Sequence, residues 1–412
     1  MFLLERTKKR RWAGWIGLIA VISIALCVRA YRHEQLGHEL ILALKVNDTN
    51  RALAALQAHA DPNFRDQEER PPDFQRYLST FWQQIRGIKP PAKTRPTALA
   101  LAVQQDNAVL VEALLAAGAK NIGETLPVLY DRNGNEFSPF SPVPLLKIAV
   151  RNGNPAIVWA LARHGWNVNQ TDADHRTVLF SAEDATMVKA LVACGADINA
   201  RDKDGHTALD ANLSTVSNSA AIEKSLALLD LGANDVRAFT VAACYGHLQV
   251  LNSMLDRGWN IDTHNEEGST PLMAALKSED DVHPQGALFL IRRGANGNAR
   301  DRRGSTPLML AAEGGGEPDM NVKSPQIVNA LLERGARVDA QDREGITPLM
   351  VATLHLRPAL MRLLLQHGAR VDTRSRQGET ALSMALRNYY PGTRDGRHGA
   401  VVRMLRAAGA RE

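Results

Sequence analysis

Apolar and polar positions along the chain fall into a pattern that recurs about every 30 residues, and its clearest copy runs from Gly345 to Gly378. In it Thr347-Pro348 predicts a helix start: a hydroxyl N-cap, then proline at the first helical position, where a missing N–H costs nothing. Leu349, Val351 and Ala352 carry a short helix. Pro358 opens a second, whose Leu360, Leu363 and Leu364 fall at i, i+3 and i+4 on one face. Gly368 supplies the left-handed residue that ends it. Ala369-Arg370-Val371-Asp372 and a polar turn then lead to Gly378 and the next threonine, Thr380. Two short helices and a turn cannot bury their own apolar face, so neighbours must repeat the unit.

The neighbours do repeat it. Thr-Pro-Leu-Met opens helices at Thr270, Thr306 and Thr347, and Thr-Ala-Leu does so at Thr97, Thr207 and Thr380. A helix-ending glycine recurs at Gly118, Gly165, Gly195, Gly232, Gly258, Gly294, Gly335, Gly368 and Gly409. Thr177 lies 30 residues before Thr207, and Thr347 lies 33 before Thr380; 30 beyond Thr207, the helix-opening place falls on Arg237. That period, with these residues at these offsets, resembles the ankyrin repeat, in ten copies from about Leu36 to the C-terminus. The resemblance implies an all-α solenoid of helix-turn-helix units with short hairpin loops, and a function in binding other proteins. It says little about which protein. One departure bears on packing: where ankyrin repeats usually carry histidine after Thr-Pro-Leu, this chain has Met273, Met309 and Met350. The threonine–histidine hydrogen bond is lost there and an adaptable apolar side chain fills the place, so looser coupling between repeats is expected.

The N-terminus breaks the period. Trp12 to Val28 is 17 residues without a charge, directly after Arg6-Thr7-Lys8-Lys9-Arg10-Arg11. That is the short end of a membrane span and long for a signal-peptide core. Trp12, Trp15 and Tyr31 stand where interfacial aromatics belong, and Arg29 argues against cleavage beside it. The sequence thus reads as a basic tail over 1–11 and an uncleaved transmembrane signal anchor over 12–31. Five basic residues before the span against two after it place the N-terminus in the cytoplasm and the repeats beyond the membrane. Loose, insertion-rich repeats point to a bacterial member of the family, in which that space is the periplasm.

Charge then changes the picture. The isoelectric point of about 9.1 belongs to the tail: residues 1–32 carry seven basic side chains and one acid, +6 against a total of +5, which leaves the rest at −1. A neutral array is no electrostatic nucleic-acid binder. Cys27, Cys194 and Cys244 are too scattered for a disulfide framework and read as small hydrophobes. Length allows two or three ordinary domains, but 412 residues of repeats make one quasi-linear array.

Within the array, 36–65 is a degenerate first repeat, 66–93 an insertion, and 94–412 the remaining nine or so repeats. Phe74, Tyr77, Leu78, Phe81, Trp82 and Ile85 follow helical spacing in the insertion, bracketed by Pro71-Pro72 and Pro90-Pro91. This aromatic helix has three readings: a lid on the first repeats, a partner-docking helix, or a membrane-surface helix. Further insertions stand at 123–143, 278–286, 313–325 and 388–399. The first holds a β-hairpin signal, Val128-Leu129-Tyr130 and Glu136-Phe137 about Asn133-Gly134.

Candidate chemistry is sparse. Gly314-Gly315-Gly316 follows a helix and lacks the lysine of a phosphate loop. The histidines have no metal-ligand spacing, and no nucleophile-elbow context occurs, so no catalytic residue, cofactor, metal or small-molecule substrate is expected. Trp166 and Trp259 replace the alanine of Gly-Ala and read as gap fillers or binding anchors. The resemblance directs partner contact to the hairpin tips. There stand Asp202, Lys203 and Asp204; His264, Asn265, Glu266 and Glu267; Arg300, Asp301, Arg302 and Arg303; Asp342, Arg343 and Glu344; and Arg374, Arg376 and Gln377. The expected function is a membrane-anchored interaction module of the cell envelope, a scaffold or accessory protein. The alternatives are an immunity-type inhibitor of a toxin and an enzyme with its site in the inserted loops.

Overall fold

The computed structural model describes residues 2–65, 96–120, 129–130, 136–137, 144–214, 218–265, 267–277, 284–313, 324–387 and 397–411. The side chains of residues 2–22 and 24 lie outside that description. The chain forms two compact units, Met1–Asp197 and Ile198–Glu412. Unit 1 holds four helix pairs among the described residues. The C-terminal end of Phe2–Lys45 pairs with Thr49–Gln57, Ala98–Gln104 with Ala108–Ala116, and Pro144–Arg151 with Pro155–Arg163. The fourth pair has a shortened first helix, a 3-10 turn at Val178–Ser181, before Ala185–Ala193. Unit 2 holds six pairs: Ala208–Leu213 with Ser219–Asp230, Val236–Tyr245 with Leu248–Asp256, Pro271–Lys277 with Pro284–Arg292, Pro307–Glu313 with Ser324–Glu333, Pro348–Leu354 with Pro358–Gln366, and Ala381–Arg387 with Arg397–Ala407.

Local chemistry sets these boundaries. The threonine Oγ1 accepts from the backbone N–H three residues on at Thr97, Thr207, Thr270, Thr306, Thr347 and Thr380. Arg237 is no such opener: Asp235 caps that helix, accepting from Arg237 N at 3.1 Å. All nine helix-ending glycines take left-handed φ, between 83° and 96°. In the degenerate first repeat His59 takes that conformation at φ 66°. The three methionines in the histidine place are buried, and at Met309 the sulfur accepts from Thr306 N at 3.4 Å. Ser383, in the same place, accepts from Thr380 N at 2.8 Å.

Among the described residues, amide and carboxylate side chains stitch six pairs of successive repeats together. Asn169 accepts from Asp197 N at 2.7 Å and donates to Gly195 O at 2.8 Å; Asn298 does so with Arg337 N and Gly335 O, and Asn63 with Lys120 N and Gly118 O. Asn199, Asp262 and Asp339 accept from Asn234, Asn296 and Arg370 in the same register. These bonds satisfy backbone N–H groups beyond the helix ends.

Several sequence expectations need correction. The anchor and the first repeat are not separate elements, because Phe2–Lys45 is one helix of 44 residues. Its run from Tyr31 to Leu36 contains no breaker, and Gly37 alone does not end a helix. Gly37 is instead where Phe64 lies on the helix: a β-carbon there would overlap the ring, which also meets His38 edge-on at 5.1 Å. Among the described residues no helix is long and apolar enough to cross a membrane, so the transmembrane helix expected over 12–31 finds no support there. Most of its side chains are outside the description. Insertion bounds also move. Pro284 to Gly286, Glu313, Ser324 and Pro325, and Arg397 to Gly399 are helical, since proline is at home in a first turn.

Arg65 bridges Thr97 in antiparallel fashion, as Arg201 bridges Thr207 across a short tip. The aromatic helix expected over 66–93, with Phe74, Tyr77, Phe81 and Trp82, lies outside the described residues. The β-hairpin expected at 128–137 is present as the antiparallel pairs Leu129↔Phe137 and Tyr130↔Glu136.

Candidate partner-binding groove

The tips of unit 2 run over 202–206, 265–269, 301–305, 342–346 and 375–379, and all are built alike. The first residue turns its side chain inward. Asp202 Oδ1 accepts from Asp204 N and His206 N at 3.0 and 2.9 Å, Asp301 Oδ1 from Arg303 N and Ser305 N, and Asp342 Oδ1 from Glu344 N and Ile346 N. Asn265 holds Glu267 N and Ser269 N in the same way, and Ser375 holds Glu379 N. The fourth residue is glycine at φ 73–80°. At Gly345 a β-carbon would come within 2.9 Å of Arg376 N, so neighbouring tips touch backbone to backbone. Main-chain bonds link them: Arg302 N to Glu267 O at 3.4 Å, Arg343 N to Arg303 O at 3.1 Å, and Arg376 N to Glu344 O at 2.8 Å.

This geometry sorts the sequence candidates. Asp202 and Asn265 hold their own tips rather than facing a partner. Arg374 donates to Gly378 O at 2.6 Å, and Arg300 to Gly304 O and Gln341 O at 2.8 and 2.6 Å. Lys203, Asp204, His264 and Glu267 are exposed, while Glu266 lies outside the described residues. Glu344 is exposed and accepts from Gln377 at 3.2 Å. The Arg302, Arg303, Arg343 and Arg376 side chains are exposed, with no hydrogen bond or ion pair among the described residues.

Three of those arginines rim a concavity of about 560 Å³ between the tips 301–305 and 342–346 and the helices Pro307–Glu313 and Pro348–Leu354. Met309, Leu310, Val351 and Leu354 give it an apolar wall, in which Leu354 is 38% exposed. Ser305, Glu313, Asp342, Glu344 and His355 complete the lining. Lysine clamps fix the tips from below, a feature that sequence reasoning missed. Lys277 Nζ donates to Asp301 Oδ2 at 3.1 Å and to Ser269 at 3.0 Å, and Lys147 Nζ to Asp172 Oδ2 at 3.1 Å. Burial would raise the Asp172 pKa, but the bonds from Lys147 and from the Arg176 and Asp174 N–H groups outweigh it and hold the value below the ordinary one.

Elsewhere in unit 2, Asp202, Asp204 and His206 bring possible ligand atoms within 4.8 Å of one another. The His206 Nε2 faces an Arg237 nitrogen at 2.7 Å, and Nδ1 lies 3.4 Å from the Asp202 carboxylate, so the ring is committed to its tip. Beside it Asp210 is buried, with neither oxygen hydrogen-bonded among the described residues and the Arg237 Nε 3.2 Å away. Burial raises its pKa; Arg237 and His206 oppose that, and Asp235 and Asp202 reinforce it. An acid whose folded value is raised binds its proton more tightly when folded, so its ionisation weakens the fold as pH rises past the ordinary aspartate range. Asp210→Asn is therefore expected to lose less stability than the parent as pH rises past the ordinary aspartate range. Thermal melts across that range check this; a larger loss in the variant would contradict it.

The remaining candidates are structural. Trp259 meets buried Phe239 edge-on at 6.0 Å, which is packing. Burial pushes the Cys244 thiol up to about 11 and raises Cys194 as well, with Arg163 opposing, so neither is an activated nucleophile.

The profile of one family, described as Ankyrin repeats (3 copies), matches residues 99–202, 146–238, 239–321 and 320–411. Together these cover well over half of the chain. The chain belongs to the ankyrin-repeat family. Ankyrin repeats are protein–protein interaction modules, and in this one the tips and first helices of the Thr306 and Thr347 repeats enclose the groove just described.

Proposed function

We propose that this ankyrin-repeat protein is a membrane-held interaction module of the cell envelope, a scaffold or accessory protein that presents the groove of the Thr306 and Thr347 repeats to a protein partner. The observation that carries the binding role is the groove itself. An apolar wall that includes a partly exposed leucine sits beneath a rigid, hydrogen-bonded rim of tips, which suits burial of a partner's side chain.

The anchoring role is supported by the uncharged stretch Trp12 to Val28 in a helix that runs without a break into the first repeat. A helix of 44 residues is about 66 Å long at the usual rise, enough for a span and a rigid stalk. The charge step across the stretch favours a cytoplasmic N-terminus, with the repeats beyond the membrane. Reporter fusions after residue 412 test this: a phosphatase should be active, and a fluorescent protein that matures only in the cytoplasm should stay dark. The opposite pattern, or recovery of the chain outside the membrane fraction, would defeat the anchored reading.

A further inference from the structure

The charge along the tips points beyond the groove to the chemistry of what fills it. Resting on the groove reading above, we propose that the partner's contacting segment is an acidic peptide stretch with one apolar anchor. Its carboxylates lie along Arg302, Arg303, Arg343 and Arg376, and its apolar side chain sits against Val351 and Leu354.

The tip aspartates face inward and hold backbone N–H groups, so their charge does not cover the outer edge. Arg300 and Arg374 are committed to carbonyl oxygens. The four remaining guanidiniums do neither job. They stand on three successive tips tied to one another by main-chain bonds, one repeat apart, and find no partner side chain among the described residues. With no hydrogen bond or ion pair among the described residues, these exposed side chains hold no part of the fold together. Residues 33–412 sum to about −1, so the ridge is a local feature and not part of a general basic surface. Guanidinium forks fit carboxylates in pairs, and a row of them without side-chain partners is a template for such groups.

A peptide fits better than a nucleic acid. Glu344 stands on the same edge as the arginines, and Glu313 lines the groove between the two repeats. A peptide can set an uncharged side chain opposite each acid, whereas a phosphodiester backbone carries charge at every step. The apolar wall directly beneath the rim also calls for a side chain that can enter it.

Selection of a random peptide library on the purified full-length chain tests the proposal. Selected peptides should be rich in Asp and Glu around one apolar residue. Their affinity should fall at least about tenfold for the triple variant R302E/R303E/R343E and should weaken with salt. Since these side chains are exposed and unpaired, melting of the variant should match the parent. L354D should also lose the peptides. Neutral or basic peptides that still depend on Leu354 would overturn the acidic-partner proposal and leave the groove reading standing. Peptides indifferent to L354D would sink the groove reading, and the proposal with it. Tighter, salt-sensitive binding of a single-stranded RNA through the same arginines would overturn the proposal as well.

Discussion

Gly286→Ala is expected to lower the melting temperature of unit 2 markedly, although it places the best helix former inside a helix. Gly286 lies in Pro284–Arg292, where a β-carbon would overlap the carbonyl oxygen of Ala243 in Val236–Tyr245 and stand 3.0 Å from its carbonyl carbon. Both sides of that contact are backbone, so no side chain can rotate away. Alanine would favour the isolated helix by up to about 1 kcal/mol. Overpacking of this kind costs about 1–3 kcal/mol, and more where backbone must move, so the net effect is destabilising. Gly399→Ala is the control: its β-carbon would meet only the far end of the Arg403 side chain, at 3.3 Å, within Arg397–Ala407. That variant should be neutral or more stable by about 0.5–1 kcal/mol. Because repeats couple mainly to their neighbours, hydrogen exchange in Gly286→Ala should rise first over 236–292. A Gly286→Ala protein as stable as Gly399→Ala would contradict the close backbone approach.

Much of this fold is legible in the chain because repetition makes the same local signals recur. The threonine caps and the helix-ending glycines act within three or four residues of themselves, and the structure places them where the pattern does. What escapes the sequence acts over longer reach. Gly286 reads as a loop residue beside Pro284, yet it is a helical glycine kept by a neighbour a whole repeat away. Asn298 looks like an ordinary polar residue, but it accepts from Arg337 in the following repeat.

The tips show the same division. Aspartate or asparagine at the first place and glycine at the fourth is an Asx-turn signature, and it could have told that Asp202 and Asn265 face inward. Arg374 stands one place before its tip, where Arg300 and Gln341 also donate to the glycine carbonyl four residues on, whereas Arg376 lies inside the tip and reaches no side chain among the described residues. The groove, by contrast, exists only once two tips and two helices are packed together.

That groove is the centre of the account, and its occupation can be read directly. A photo-crosslinking amino acid in place of Leu354 should trap the partner in intact cells, because that side chain is the exposed part of the groove's apolar wall. The same amino acid in place of Val109 serves as the comparison, on the exposed side of Ala108–Ala116 in unit 1, where the side chain is 60% exposed and remote in sequence from the groove. Exposure alone would label both positions. The account predicts a discrete adduct of defined mass from position 354, none from 109, and loss of the adduct when R302E/R303E/R343E is added. Adducts from position 109 with none from 354 would contradict it.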